Sequence, residues 1–204
     1  MARKAVFVDR DGVINRLVYY PEHGVIDSPF IPSQFKILTG VYEALRSFKQ
    51  AGYSVVVVSN QPGIAKGSLR KEDFDGIRCR MHELLEENGV LLDGEYYCLH
   101  HPEGEVKELA VDCDCRKPRP GMLLRAVQEL ALDLKSSWMI GDNLTDVQAG
   151  HRAGCRTVLI GRMKCELCHL MEDQATVPDI IASNLVEAFE LIYRQGEVHA
   201  DIFR

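Results

Sequence analysis

The feature that most restricts the fold of this chain is a regular alternation of short apolar runs with segments of helical period. Ala5–Val8, Ser54–Val58, Glu95–Cys98, Trp138–Ile140 and Thr157–Ile160 read as strands, and the β-branched run Ser54–Val58 has the character of a central parallel strand. Between them, Val41–Gln50, Lys71–Asn88, Gly121–Leu132 and Thr145–Ala153 carry apolar residues at helical spacing, with Gly52, Gly89 and Gly154 as stops. Ile180-Ile181 adds a short strand and Leu185–Tyr193 a last helix. Crossovers of ten or more helical residues join parallel strands, so the expected fold class is α/β, a doubly wound parallel sheet with helices on both faces.

Ligands of such sheets bind beyond the carboxyl ends of the strands. Three of the expected strands run into polar residues at that end: Asp9, Ser59-Asn60 and Gly141-Asp142. Leu17–Thr39 and Leu99–Pro120 lack either period, and loops of that length in a compact domain are usually functional or disordered. A single domain over residues 1–204 is expected, with no separate cap domain, an ordered loop at 98–115 and a tail at 195–204.

Composition narrows the partners. Lys and Arg number 24 against 30 Asp and Glu, a net charge of −6, which argues against a general binder of nucleic acid or anionic membrane. No apolar run approaches the roughly 18 residues of a bilayer span. The run Ala5–Val8 is too short for a signal-peptide core. The expectation is a cytoplasmic, monomeric chain with a small-molecule substrate. Seven cysteines on such a chain suit reduced thiols or metal ligands better than disulfides.

In Val6-Phe7-Val8-Asp9-Arg10-Asp11-Gly12 one carboxylate stands at a strand end and a second two residues on, with Gly12 allowing a tight turn. A carboxylate at a strand mouth can attack phosphorus to form an aspartyl-phosphate. Its approach to an anionic phosphate needs a screening cation, for which oxygen ligands and Mg²⁺ are suited. The second carboxyl can protonate the leaving oxygen and then activate water. Taken alone, Asp-x-Asp-Gly is also a common exposed turn; the other two polar strand ends tip the balance toward a site.

A second constellation is Cys98-Leu99-His100 with Cys113-Asp114-Cys115. Three thiols and an imidazole suit a closed, structural zinc site, whose binding energy would order a loop poor in apolar residues. The alternatives are three unrelated cysteines with a surface histidine, or a Cys113–Cys115 disulfide in a strained small ring. His101 is the neighbouring candidate ligand, but in an extended segment it faces the other way. Cys165-Glu166-Leu167-Cys168-His169 matches a haem-attachment pattern or half of a second zinc site, and is read as a surface loop with incidental thiols.

Asp9-Arg10-Asp11-Gly12, Ser59-Asn60-Gln61, Lys117 and Gly141-Asp142-Asn143, in this order, resemble the four motifs of the haloacid dehalogenase (HAD) superfamily phosphatases. The resemblance covers residues 5 to about 160. It implies Asp9 as nucleophile and Asp11 as acid/base. Ser59, Asn60 and Gln61 would bind the phosphoryl group, with Lys117 offsetting its charge. Mg²⁺ would be held by Asp9, Asp142 and the backbone carbonyl of Asp11, with Asn143 assisting and Asp146 orienting the site. Tyr97-Cys98-Leu99-His100-His101-Pro102 with Cys113-Asp114-Cys115-Arg116-Lys117-Pro118 is similar to the heptose-bisphosphate phosphatase branch, and the metal cluster also to the histidinol-phosphate phosphatases. That similarity implies a sugar-bisphosphate substrate, Zn²⁺ at Cys98, His100, Cys113 and Cys115, and Arg116 at the substrate's second phosphate. A histidinol-phosphate phosphatase is the nearest rival; a non-catalytic zinc-stabilised interaction domain would leave the aspartates unexplained.

Overall fold

The structure, a computed structural model, describes residues 3–161 and 177–200. Cys165, Cys168 and His169 lie outside the described residues.

Six strands form one parallel sheet: β1 (Ala5–Val8), β4 (Ser54–Asn60), β5 (Gly94–Cys98), β6 (Trp138–Gly141), β7 (Arg156–Ile160) and β8 (Ile180–Ala182). Their order is β5-β4-β1-β6-β7-β8, with every pairing parallel. β1 sits inside the sheet, its Val6 in register with Val55 of β4 and with Trp138 of β6. All four of its residues are buried, which explains why the run is apolar throughout rather than alternating. Strand order reverses at β1, so the crevice at the carboxyl ends of β4, β1 and β6 is where a ligand would sit.

Alternate side chains build two cores. Val6, Val8, Val55, Val57 and Ile140 face α1 (Val41–Gln50), α2 (Lys71–Glu87) and α5 (Leu185–Ala200) through Leu45, Phe48, Ile77, Met81 and Ala188. Phe7, Val56, Val58 and Met139 face α3 (Gly121–Leu130) and α4 (Leu144–Ala153) through Met122, Leu123, Ala126 and Ala149. Helices thus cover both faces, as the alternation requires.

Three expectations change. α3 stops at Leu130, because Ala131 turns into the left-handed region and its carbonyl accepts the Arg3 N–H, bending the chain so that Leu132 drops into the second core. α5 runs on past Tyr193 to Ala200, with neither proline nor a capping glycine at Tyr193 to end it. The aperiodic stretch 17–39 contains an antiparallel hairpin of β2 (Val18–Tyr20) and β3 (Val25–Asp27). Three-residue strands are too short to show a period. Tyr20 anchors the hairpin: its ring stacks on Phe30 at 4.5 Å and its hydroxyl accepts the Phe30 N–H at 3.1 Å. Among the described residues, no helix is long and apolar enough to cross a membrane.

Candidate active site and metal cluster

Asp9 follows β1 directly and is tied to β6 by its N–H, which donates to the Ile140 carbonyl at 2.9 Å. The chain then turns: the Gly12 N–H bonds the Asn15 carbonyl and the Ile14 N–H bonds the Arg10 carbonyl. Gly12 has φ +80, and a Cβ built there would lie 2.0 Å from Asp142 Oδ2. Only glycine lets the turn approach the end of β6 so closely.

Asp142 leaves β6 beside Asp9, and Asp146 rises from the first turn of α4. One carboxylate oxygen from each of Asp9, Asp142 and Asp146 lies within 4.8 Å of the others. Lys117, buried at 3% exposure, stands among them, its Nζ 2.9 Å from Asp9 Oδ1, 2.5 Å from Asp146 Oδ1 and donating to the Val58 carbonyl at 2.9 Å. Burial opposes the lysine charge, but Asp146 and Asp9 outweigh it, so its pKa is raised. Desolvation, then the charges of Asp9 and Asp146, push Asp142 up to about 7. Desolvation also raises Asp146, to about 6, against the pull of Lys117.

The third carboxylate of this group is Asp146; Asp11, expected at the metal through its backbone carbonyl, directs its side chain to other donors. Asp11 Oδ1 accepts from Asn15 Nδ2 at 2.9 Å and Oδ2 from Gln61 Nε2 at 2.6 Å, while Arg10 NH2 donates to Oδ2 at 2.8 Å. Side-chain hydrogen bonds also show what three other expected site residues contact. Gln61 serves Asp11, Ser59 and Arg10 and is not directed at a phosphoryl site. The Asn60 side-chain amide is spent on Lys117, Nδ2 donating to its carbonyl and Oδ1 accepting its N–H, both at 3.0 Å. Asn143 caps α4, its Oδ1 accepting the Thr145 N–H at 3.2 Å. Asp146 completes the capping box by accepting the Asn143 N–H at 3.0 Å, leaving both its oxygens engaged.

These groups line a cleft of about 380 Å³ that also includes Ser59 and Arg116. Its far wall is Ile26, Asp27 and Ser28, at the end of the hairpin, together with Leu17. Sequence reasoning placed Arg116 and the 17–39 loop here without naming the wall residues, and missed the buried Arg10. The signal for Arg10, a basic residue two positions past the end of a fully buried strand, was present.

On the outer side of β5, Cys98 Sγ lies 3.5 Å from Cys113 Sγ and 3.2 Å from Cys115 Sγ. Cys115 Sγ is 3.2 Å from Cys113 Sγ and 3.2 Å from His100 Nδ1. All four donors fall within 4.8 Å of one another. His101 stands apart, its Nδ1 accepting the Glu103 N–H. Desolvation and the neighbouring thiols hold Cys98 and Cys115 above the ordinary thiol range, while hydrogen bonds from its neighbours overcome burial and lower Cys113. Cys115 is two residues from Lys117, so the cluster and the carboxylate centre share one short segment.

This sheet, with its aspartates at the mouths of β1 and β6 and a buried lysine between them, defines a hydrolase of the HAD-like class. A family model described as HAD-hydrolase-like matches residues 114–188. The D-glycero-beta-D-manno-heptose-1,7-bisphosphate 7-phosphatase of Escherichia coli is 38% identical over 191 residues, covering 94% of this chain and 94% of its own. The enzyme of the same name from Photorhabdus laumondii is 44% identical over 158 residues, 78% of this chain and 80% of its own. The crystal structure of D,D-heptose 1,7-bisphosphate phosphatase from B. bronchiseptica, complexed with magnesium and phosphate, superimposes with a TM-score of 0.74 at 28% identity, covering 94% of this chain and 99% of that one. The chain belongs to this family of phosphoric monoester hydrolases.

Proposed function

We propose that the chain removes the C7 phosphate of D-glycero-β-D-manno-heptose 1,7-bisphosphate through a phosphorylated Asp9. The observation that supports this best is the gathering of Asp9, Asp142 and Asp146 around one buried lysine at the open end of the sheet.

Three carboxylates sharing a single ammonium leave an excess of negative charge, which adds to desolvation in raising the pKa of Asp142. Hard oxygen donors in that state fit Mg²⁺. Asp9 and Asp142, with the backbone carbonyl of Asp11, would hold the ion; Asp146 is already committed to Lys117 and the Asn143 N–H. When bound, magnesium screens the approach of one anion to another.

An Asp9 carboxylate oxygen attacks phosphorus, the bond to the C7 oxygen breaks, and Asp11 gives its proton to that oxygen. Asp11 then takes a proton from water as the water attacks phospho-Asp9, which releases inorganic phosphate and restores both carboxyls. Lys117 Nζ offsets charge on the phosphoryl oxygens. The Ser59 hydroxyl binds one of those oxygens, and from Asn60 the backbone N–H does so, since its side chain holds Lys117. Arg116, on the cleft wall, takes the second phosphate, where a guanidinium can bind two oxygens at once.

The soft donors of Cys98, His100, Cys113 and Cys115 fit a closed Zn²⁺ site that orders residues 98–115 and does no chemistry. Phosphate release measured with heptose 1,7-bisphosphate, heptose 1-phosphate and histidinol phosphate tests the substrate. Mg²⁺-dependent release from the bisphosphate alone is expected. Faster turnover of histidinol phosphate would overturn the substrate assignment.

A further inference from the structure

We propose that Arg10 and Gln61 are positioning residues that seat the Asp11 carboxyl for its two proton transfers. The proposal rests on Asp11 being the acid/base. Arg10 follows Asp9 in the chain, yet its side chain turns inward and is fully buried. Its Nε and NH2 both donate to Asp11, at 3.2 and 2.8 Å, and NH2 donates also to Gln61 Oε1 at 2.8 Å. The guanidinium lies over the Tyr97 ring at 6.0 Å, and its NH1 is buried with no hydrogen-bond partner.

That is a poor arrangement if stability were its purpose. A buried guanidinium with one carboxylate in contact and one nitrogen unsatisfied is commonly matched or bettered by an apolar side chain of similar volume. The same arrangement serves orientation well. Asp11 Oδ1 meets Arg10 and Asn15, and Oδ2 meets Arg10 and Gln61, so the carboxyl is held at both oxygens.

Gln61 needs Arg10 in turn. An amide can present either end. Because Oε1 is claimed by the Arg10 NH2, Nε2 must face Asp11 at 2.6 Å and Ser59 Oγ at 3.1 Å. Arg10 thereby fixes the donor end of Gln61 toward both the acid/base and the serine of the phosphoryl site.

The test separates positioning from folding by the need of the leaving group for a proton. An alkyl oxygen needs one; 4-nitrophenolate does not. Single-turnover phosphorylation of Asp9 is compared for the sugar bisphosphate and 4-nitrophenyl phosphate in Arg10→Gln, Asp11→Asn and the double variant. Arg10→Gln is expected to slow phosphorylation by the sugar phosphate about 10–100-fold with KM within about threefold. The rate with 4-nitrophenyl phosphate should stay within about threefold, and the second substitution should cost nothing further in Asp11→Asn. Equal losses on both substrates, or a further loss in the Asp11→Asn background, would overturn the proposal. If Arg10→Gln does not fold by circular dichroism, Gln61→Met, which keeps the buried ion pair, carries the same comparison, and a loss independent of leaving group there is equally fatal. Wild-type rates in Asp11→Asn would remove the acid/base reading itself; wild-type rates in Arg10→Gln beside an impaired Asp11→Asn would remove only the seat.

Discussion

Two clusters of potential metal donors lie on either side of Arg116, one of carboxylates and one of thiols, and they are held in opposite ways. Asp9, Asp142 and Asp146 come from the ends of two buried strands and the first turn of a helix, so regular elements alone bring them together. Cys98 is the only donor of the other cluster on a regular element; His100, Cys113 and Cys115 sit in chain without helix or strand. The carboxylates are crowded because the fold is stable enough to impose it. The thiols can be crowded only if something they bind repays the ordering of their loop. A metal at the first centre is thus expected to tune chemistry, and a metal at the second to supply folding energy.

The sharpest way to break this contrast is Asp9→Asn. Turnover is expected to fall by about a thousandfold or more while the melting temperature holds or rises, since one like charge leaves the group. A drop in melting temperature in parallel with activity would mean the carboxylate centre is structural after all. Next in size is Lys117→Met, which strands two carboxylates without their cation and should cost about 3–5 kcal/mol in urea unfolding. A cost below about 1 kcal/mol would show that the sheet does not need its buried ion pair.

Cys113→Ser probes the other side. Zinc is expected to fall below one per chain, with hydrogen exchange accelerating across residues 98–115 and little change in the protection of β1 and β6. Loss of protection throughout would erase the distinction between the two regions. The smallest effect is one of pH. Asp142 and Asp146 have pKa values raised above the unfolded carboxyl, so the metal-free protein loses their contribution as pH rises from about 4 through 7. Mg²⁺ binds the ionised form, and the gain in melting temperature that it confers should therefore grow from pH 5 to pH 8. A gain that is flat across that range would contradict the crowding.

The strands and helices that build the sheet were legible because each has a clean period and a stop: Val41–Gln50 and Ala5–Val8 are as expected to the residue. The meeting of Asp9 and Asp142 was legible in the polar residues that end their strands, whereas Lys117, on no strand, was placed there only by the family resemblance. What could not be read was the second layer of contacts. Asn60 and Gln61 sit where a phosphate-binding loop would place them, but whether an amide faces the substrate or its own protein depends on a neighbour far away in sequence, here Lys117 and Arg10. The hairpin 18–27 escaped for a different reason. Its strands are anchored by Tyr20 stacking on Phe30, a contact between side chains with no period to betray it.

The close approach of Gly12 to Asp142 has one more consequence. With 2.0 Å between the carboxylate oxygen and the place a Cβ would occupy, Asp142 is aimed by the backbone of a neighbouring turn as much as by its own strand. The aim is enforced by an empty volume, so the smallest possible edit, one methyl, would disarm the centre while leaving every charged residue in the chain untouched.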